Sequence, residues 1–392
     1  MRTSLLLAAA HAGLVVAGPT RPYGRQQQPH SMPVVKTTTT GDGQLIDWVP
    51  VDAQVQGAAI ASPPPPSMLK RSPTVQDTAL VDAIRPKDRG PVGTVPIPRA
   101  SGRGPTKPMK QLPDANNQTV TAFSHYGEHL WAHTGQEVLN HGANAKFSLF
   151  KAFVEQSSDF SLLQVGVWRH NAAHAGTGPR KQTVEAGWIN FPNQGSLPHL
   201  FTFFTANGYE RYGDNVCSWN RDFKGWVQVD RDLFPGVAFL SLSTIGGGVK
   251  AEADIGYIYY EGNWWLTVLG RWVGYYPGTL FSAGGVNPND TLNSYADHIS
   301  FFGEVFNSEN EQTKTDMGSG EFPEKGLGNA AYLRNVVYYS VDDDRAVDYD
   351  GSAQIIVSDQ DRYRLKTSFK SGTDWGSYFY LGGPGAGGVV GG

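Results

Sequence analysis

Short runs in which apolar and polar side chains alternate begin near residue 111 and continue to about residue 385, and no stretch carries a long 3.6-residue repeat. A period of two is the spacing of a half-buried strand, so residues 147–153, 160–168, 201–209 and 225–229 read as strands. Asn207-Gly208 is a hairpin signal, and the turn Glu261-Gly262-Asn263 separates residues 255–260 from 264–269 as the arms of another. Strands recurring at hairpin spacing predict an all-β fold, an antiparallel β-sandwich over residues 111–385. Glycine at 47 of 392 residues, against a usual share of about 7%, and aromatics at 12% fit many strands joined by tight turns. The glycine-rich tail, residues 386–392, is expected to fray.

Two of the strands carry a carboxylate where a strand rarely does. In residues 182–190 alternation puts Thr183, Glu185, Gly187 and Ile189 on one face, with Gln182, Val184, Ala186 and Trp188 on the other. Glutamate is depleted in strands, and a strand-interior glycine marks close approach by a ligand or another backbone. Residues 299–306 repeat the arrangement, with Glu304 directly after Gly303 in an aromatic, β-branched run. Either carboxylate alone also fits a solvated strand face. Together they form a candidate pair.

Residues 18–110 have a different character. They hold the run Pro63 to Pro66, the tract Gln26-Gln27-Gln28, the threonines Thr37 to Thr40 and few aromatics, too little apolar surface to fold alone. Their 12 Lys/Arg and 6 Asp give a net charge of +6, whereas the 19 Lys/Arg and 30 Asp/Glu of residues 111–392 give −11. A basic, largely disordered leader on an acidic body is the pattern of an electrostatically held pro-segment, loosened when acid neutralises the body's carboxylates. Lys70-Arg71 offers a dibasic cleavage point within it. Residues 1–17, with Arg2, an apolar run from Leu5 to Ala10 and Val15-Val16-Ala17 before Gly18, read as a secretory signal peptide.

Secretion sets further expectations. No other apolar run is long enough to span a bilayer, so no membrane partner is expected. The sequons at Asn117 and Asn289 are glycosylation candidates of an extracellular protein. An acidic body disfavours nucleic acid as a partner. The single cysteine, Cys217, excludes an intramolecular disulfide and a cysteine-based metal cluster. His125, His129 and His133, at spacings of four, would share one helix face, but Glu128 precedes His129 instead of following a histidine. That stretch is read as a polar turn or short helix, and no metal or cofactor is expected.

A family resemblance rests on blocks spread along the chain. They are Gly93-Thr94-Val95-Pro96-Ile97-Pro98-Arg99, Phe160-Ser161-Leu162-Leu163-Gln164-Val165, Glu185-Ala186-Gly187-Trp188, Leu200 to Tyr209, and Gly225-Trp226-Val227-Gln228. In the same order follow Gly262-Asn263-Trp264-Trp265-Leu266, Val273-Gly274-Tyr275-Tyr276-Pro277, Phe302-Gly303-Glu304-Val305, Met317-Gly318-Ser319-Gly320, and Tyr378 to Gly385. From about residue 90 to 385 the chain resembles the neprosin family of secreted glutamic peptidases. The resemblance implies a pro-segment followed by a β-sandwich peptidase, a catalytic pair at Glu185 and Glu304, and cleavage after proline at acid pH. Two departures stand out: plant relatives carry a cysteine pair where this chain has only Cys217, and Trp226 replaces a phenylalanine.

Two carboxylates suffice for amide hydrolysis. An ionised one deprotonates a bound water, while a protonated one supports the carbonyl oxygen and then the leaving amine. Close carboxylates titrate as a coupled pair, one value raised above the ordinary glutamate value of about 4.3. Gln182, Gln164 and Gln228 are candidate donors to the oxyanion. Trp188, Trp264, Trp265 and Tyr275 are candidate walls of a pocket for proline. The partners expected are a peptide or protein substrate, proline-rich in keeping with the family, and the chain's own pro-segment. Two other readings share these residues: a secreted glycoside hydrolase using the same carboxylates, and a non-catalytic carbohydrate or cell-wall binding sandwich. Serine hydrolysis is disfavoured, because Gly318-Ser319-Gly320 lacks the nucleophile-elbow pattern.

Overall fold

The computed structural model describes residues 32–55, 57–69, 73–99, 127–248, 250–351, 355–368 and 374–392. The signal segment, Lys70-Arg71, His125 and the sequon at Asn117 lie outside the described residues. The leader contributes β1 (Lys36–Thr39), β2 (Leu45–Pro50), helix α1 (Val75–Ile84) and β3 (Thr94–Pro98). The body follows with β4 (Glu128–Ser148), β5 (Phe160–Ala172), β6 (Arg180–Asn190), β7 (His199–Thr205), β8 (Cys217–Trp219) and β9 (Val227–Gln228). Next come β10 (Glu252–Tyr260), β11 (Asn263–Val268), β12 (Arg271–Pro277) and β13 (Ala296–Asn307). The chain closes with β14 (Ala331–Ser340), β15 (Ala346–Asp348), β16 (Ile355–Val357), β17 (Arg364–Ser368) and β18 (Tyr378–Gly382).

As the alternation predicts, the body is an antiparallel β-sandwich, made from one curled sheet whose main path runs β8-β7-β6-β5-β13-β4-β10-β11-β12-β9. β4 passes from one layer to the other. Its residues 128–140 pair with β13, and residues 142–148 pair with β10. Gly142 stands at the crossing with φ +127°, and a Cβ there would lie 2.0 Å from the Tyr257 carbonyl oxygen, so only glycine fits. Residues from Glu128 onward, expected as a polar turn or short helix, open this long strand instead. The reason is that a histidine spacing of four is an even number and serves one strand face as well as one helix face.

Val165, Val167, Val184, Ala186, Trp188, Leu200 and Phe204 from one layer meet Tyr257, Trp264, Leu266 and Tyr276 from the other in the main core. Each such fully buried large side chain contributes roughly 1.5–3 kcal/mol. The opposite face of the first layer carries a second cluster that includes Leu162, Ile189, Phe201, Phe203 and Trp219. The candidate site lies on that second face.

The leader, expected to be largely disordered, is ordered where it rests on the body. β1, β2 and β3 form a three-stranded antiparallel sheet, and α1 starts on a capping box in which Thr74 and Asp77 exchange hydrogen bonds. Ile46, Trp48, Leu80, Val81 and Ile84 join the main core cluster, so the segment borrows from the body the core that its own composition cannot build. Charge complementarity is present at Asp232 of the body, which pairs with Arg89 and lies 3.6 Å from Arg85. The body's Arg231 also donates to the leader, to the carbonyls of Pro91 at 2.9 Å and Thr94 at 3.1 Å. Apolar burial therefore carries much of the attachment, beyond the charge match anticipated.

Trp48 is fully buried and its indole N–H donates to Thr38 Oγ1 at 2.8 Å. Emptying that site costs about 3–5 kcal/mol. Trp48→Ala is expected to free the leader from an intact body, seen as rapid proteolysis confined to residues 32–99; a leader as resistant as the wild type would contradict the docking just described. The tail departs from the fraying expected of it. Ala386 N–H donates to the Thr313 carbonyl at 2.8 Å and Gly391 N–H to the Asp316 carboxylate at 3.1 Å.

Candidate active site

The central strand of the site is β5, flanked by β13 on one side and β6 on the other. Glu304 on β13 stands opposite Leu162, and Glu185 on β6 stands opposite Gly166. Midway between these levels is Gln164, which pairs with Phe302 on β13 and Gly187 on β6. Even spacing along each strand puts all three side chains on the face away from the main core. Residues far apart in sequence thus converge. Both glutamates are buried, Glu185 at 1% and Glu304 at 2% exposure. A Cβ on Gly187 would fall 1.9 Å from the Leu163 carbonyl oxygen, so this glycine answers to close approach of the neighbouring strand.

Glu185 accepts three hydrogen bonds. Tyr209 Oη donates to its Oε1 at 2.5 Å, Thr183 Oγ1 to the same oxygen at 2.8 Å, and Gln164 Nε2 to Oε2 at 2.8 Å. Burial pushes the Glu185 carboxyl up from the ordinary range, the three donors pull it back in part, and the nearby Glu304 charge raises it further. The net direction is upward. Burial and the adjoining carboxylate hold the Tyr209 phenol well above its usual value, so it remains a donor.

Tyr209 reaches Glu185 through the Asn-Gly turn. β7 ends at Thr205 and β8 begins only at Cys217, so Asn207-Gly208 does not close the tight hairpin its sequence suggests. Instead Gly208 takes φ +70° and Tyr209 φ +65°, which turns the tyrosine back over the strand to stack on Phe203 with ring centroids 5.7 Å apart. A bulky residue at positive φ costs on the order of 1–3 kcal/mol and is kept only where its surroundings demand it. Thr205 Oγ1 holds the turn by accepting the Tyr209 backbone N–H at 3.0 Å.

Glu304 has a basic neighbour in His129 on β4, whose Nδ1 lies 2.5 Å from Glu304 Oε1. The imidazole stacks on Trp131 with centroids 5.9 Å apart and tilts against Phe306 at 4.8 Å. On the same face the Oε1 of Gln164 and the indole nitrogen of Trp219 are buried without a hydrogen-bond partner among the described residues. Polar capacity is thus concentrated beside the carboxylates, in a setting otherwise lined by Phe160, Phe201 and Phe203.

Other expected site residues lie elsewhere. Gln182 points to the opposite face, where its Nε2 donates to the Phe281 carbonyl at 2.8 Å and its Oε1 accepts the Leu292 N–H at 2.9 Å. Gln228 is consumed by Leu233 and Asp230 carbonyls and by the Trp226 indole. Neither can serve an oxyanion at the pair. Trp188 and Trp264 fill the main core, their indoles donating to the carbonyls of Ser148 at 2.9 Å and Leu292 at 2.7 Å. Trp265 and Tyr275 form a different cluster, packed under Val55, Ile60 and Ala61 of the leader, with Tyr275 Oη accepting the Ala61 N–H at 3.0 Å. None of these four walls the carboxylate pair, because strand alternation turns them to other faces. Asn289 is exposed in a short turn, and Cys217 is buried on β8 with its thiol pushed up to about 12 by burial.

Three residues of the site escaped the sequence reading: Thr183, Tyr209 and His129. Thr183 was signalled by its position two residues before Glu185 on the same face. His129 would have been found by extending the period of two back through residue 128.

The family model described as Neprosin matches residues 157–384, well over half of the chain. Among solved structures, scytalido-glutamic peptidase with a peptide-based transition-state analogue is similar at 11% identity and a TM-score of 0.33, over 65% of this chain and 98% of that one. SCP-B, a member of the eqolisin family of peptidases in complex with the tripeptide Ala-Ile-His, is similar at the same 11% identity and TM-score of 0.33, with the same shares covered. Likeness at that level transfers no chemistry.

Proposed function

The chain belongs to the neprosin family, and from that premise we propose that it is a secreted glutamic endopeptidase, active in acid, that cleaves peptide bonds after proline through Glu185 and Glu304. The observation that carries this reading is the convergence of the two carboxylates and Gln164 on one face of β5, β6 and β13, with Glu185 raised by burial and by the Glu304 charge.

In this reading Glu185 holds the shared proton and Glu304, beside His129, acts as base. Glu304 takes a proton from water as the oxygen attacks the scissile carbonyl carbon. Glu185 gives its proton to the carbonyl oxygen, and the second N–H of the Gln164 amide, the one not bonded to Glu185, donates to the same oxygen. On collapse the amine leaves with the proton that Glu304 took, and Glu185 recovers its own from the product carboxyl. Water's elements are divided between the two fragments, and the pair returns to its starting state. The leader is the pro-segment, held at Asp232 by Arg89 and Arg85 and released as acid neutralises the carboxylates of the body, among them Asp230, which Arg271 bonds at 2.8 Å. Burial raises Asp230 despite Arg271, so it takes up its proton earlier than an exposed aspartate as pH falls. The signal peptide and the sequons at Asn117 and Asn289 belong to the same secretory reading.

The test is incubation of the acid-treated full chain with a proline-containing peptide and, separately, with cell-wall polysaccharides across a pH series. Cleavage on the carboxyl side of proline with a bell-shaped rate profile in acid is expected. Polysaccharide hydrolysis with an intact peptide would transfer the same carboxylates to glycosidase chemistry.

A further inference from the structure

On the same sheet face, but at the other end of β13, a second group of ionisable side chains is gathered. His298 pairs across the sheet with Glu137 on β4 and with Trp168 on β5, and His170 follows Trp168 by two residues on the same face. One ligand atom from each of Glu137, His170 and His298 lies within 4.8 Å of the others, the one such trio found among the described residues. Six residues separate His298 from Glu304 along the strand, a distance of roughly 20 Å at strand rise, so this group is separate from the catalytic pair.

We propose that Glu137, His170 and His298, with Asp297 holding His170 in place, form a site for a divalent transition-metal ion of the zinc type. His298 Nδ1 is 2.8 Å from Glu137 Oε1, His170 Nδ1 is 3.8 Å from Glu137 Oε2, and His170 Nδ1 is 3.1 Å from Asp297 Oδ1. Tetrahedral zinc with bonds near 2.0–2.1 Å needs ligand atoms about 3.3 Å apart, and the two separations to Glu137 bracket that value. Asp297 also accepts the His170 backbone N–H at 3.0 Å, which fixes its carboxylate against the imidazole. Glu137 is 64% exposed and His170 22%, leaving a path for an ion from solvent.

The surrounding charges select the type of ion. Arg169 lies 3.9 Å from Asp297, and Lys181 on β6 lies over the neighbouring Trp168 ring, 4.6 Å from its centroid. These two cations offset the two carboxylates, so charge alone gives a hard cation such as calcium little reason to bind. Imidazole nitrogens favour zinc or its neighbours in the transition series. Imidazoles must be unprotonated to ligate, so the ion is held near neutral pH and shed in acid. His133, stacked on His298 with centroids 6.4 Å apart, is the remaining titratable neighbour on β4.

The experiment is metal titration of the chelator-washed full chain at pH 7, with zinc, with cobalt(II) as a spectroscopic probe, and with calcium as control. Expected are one zinc per chain, the visible spectrum of tetrahedral cobalt, a raised melting temperature with zinc but not calcium, and unchanged peptide hydrolysis in acid after chelation. Glu137→Gln, which alters an exposed side chain and leaves the fold intact, and His170→Gln should each weaken zinc at least about tenfold. Zinc binding of unchanged strength in both variants, an equal response to calcium, or no stoichiometric zinc binding overturns the site. None of these outcomes bears on the Glu185–Glu304 reading.

Discussion

Glu304→Gln and Glu185→Gln are each expected to reduce kcat/KM for a proline-containing peptide by about 10²–10⁴, the usual contribution of a positioned acid or base, or by more if the two act only as a unit. The double variant should be little worse than either single one. In the proposed mechanism a shared proton requires both groups, so removing the second after the first has little left to abolish. Stability should move the other way at Glu185. Its folded pKa lies above the value it has when unfolded, so the native state holds its proton over a range where the unfolded chain has lost it. The penalty for the buried charge is absent below the unfolded value and grows as pH rises through the folded one. Glu185→Gln therefore raises the melting temperature at neutral pH and leaves it nearly unchanged in strong acid. Calorimetry across that range, beside the kinetics, separates a catalytic loss from an unfolded protein.

Gln164→Ala carries the second large effect. The Gln164 amide donates to Glu185 Oε2 at 2.8 Å while its Oε1 is buried without a partner among the described residues. Loss of one oxyanion donor typically lowers kcat by about 10²–10³, roughly 2.7–4 kcal/mol of transition-state stabilisation. In the proposed mechanism this bond forms only as charge develops, so KM should stay close to the wild-type value. The Gln164 hydrogen bond also lowers the Glu185 pKa, so without it the alkaline limb of the rate profile should move to higher pH. Gln182→Ala and Gln228→Ala are the controls. Their amides serve backbone carbonyls elsewhere, so each should cost about 1–3 kcal/mol of stability and spare kcat. A loss of kcat in the controls equal to that in Gln164→Ala would remove the special role given to β5.

How far the site was legible in the sequence depends on the range of the interaction involved. Alternation along residues 182–190 separated Glu185 from Trp188 correctly, because the face of a strand residue is decided by parity alone. The Gln164 candidate was chemically sound but could not be told from Gln182 and Gln228. Only pairing shows that Gln164 lies between the two carboxylates, whereas the others tie down loops at Phe281 and Leu233. Aromatic residues were the least legible. Trp188 and Trp264 suit a pocket wall by chemistry, yet each has its indole N–H committed to a backbone carbonyl inside the core. The ordered part of the leader was hidden for a related reason: Trp48 and Leu80 bury themselves against distant strands, a term that local composition does not contain.

The joint titration that the proposed mechanism requires of the two carboxyls admits a direct measurement. In protein carrying ¹³C-labelled glutamate carboxyls, the Glu185 resonance is followed against pH in the otherwise unaltered chain and in Glu304→Gln. If the two groups share a proton, the raised Glu185 value falls when the Glu304 charge is removed, and a biphasic titration becomes a single step. A Glu185 titration identical in both proteins would mean that the carboxyls do not sense each other, and the paired mechanism would be wrong.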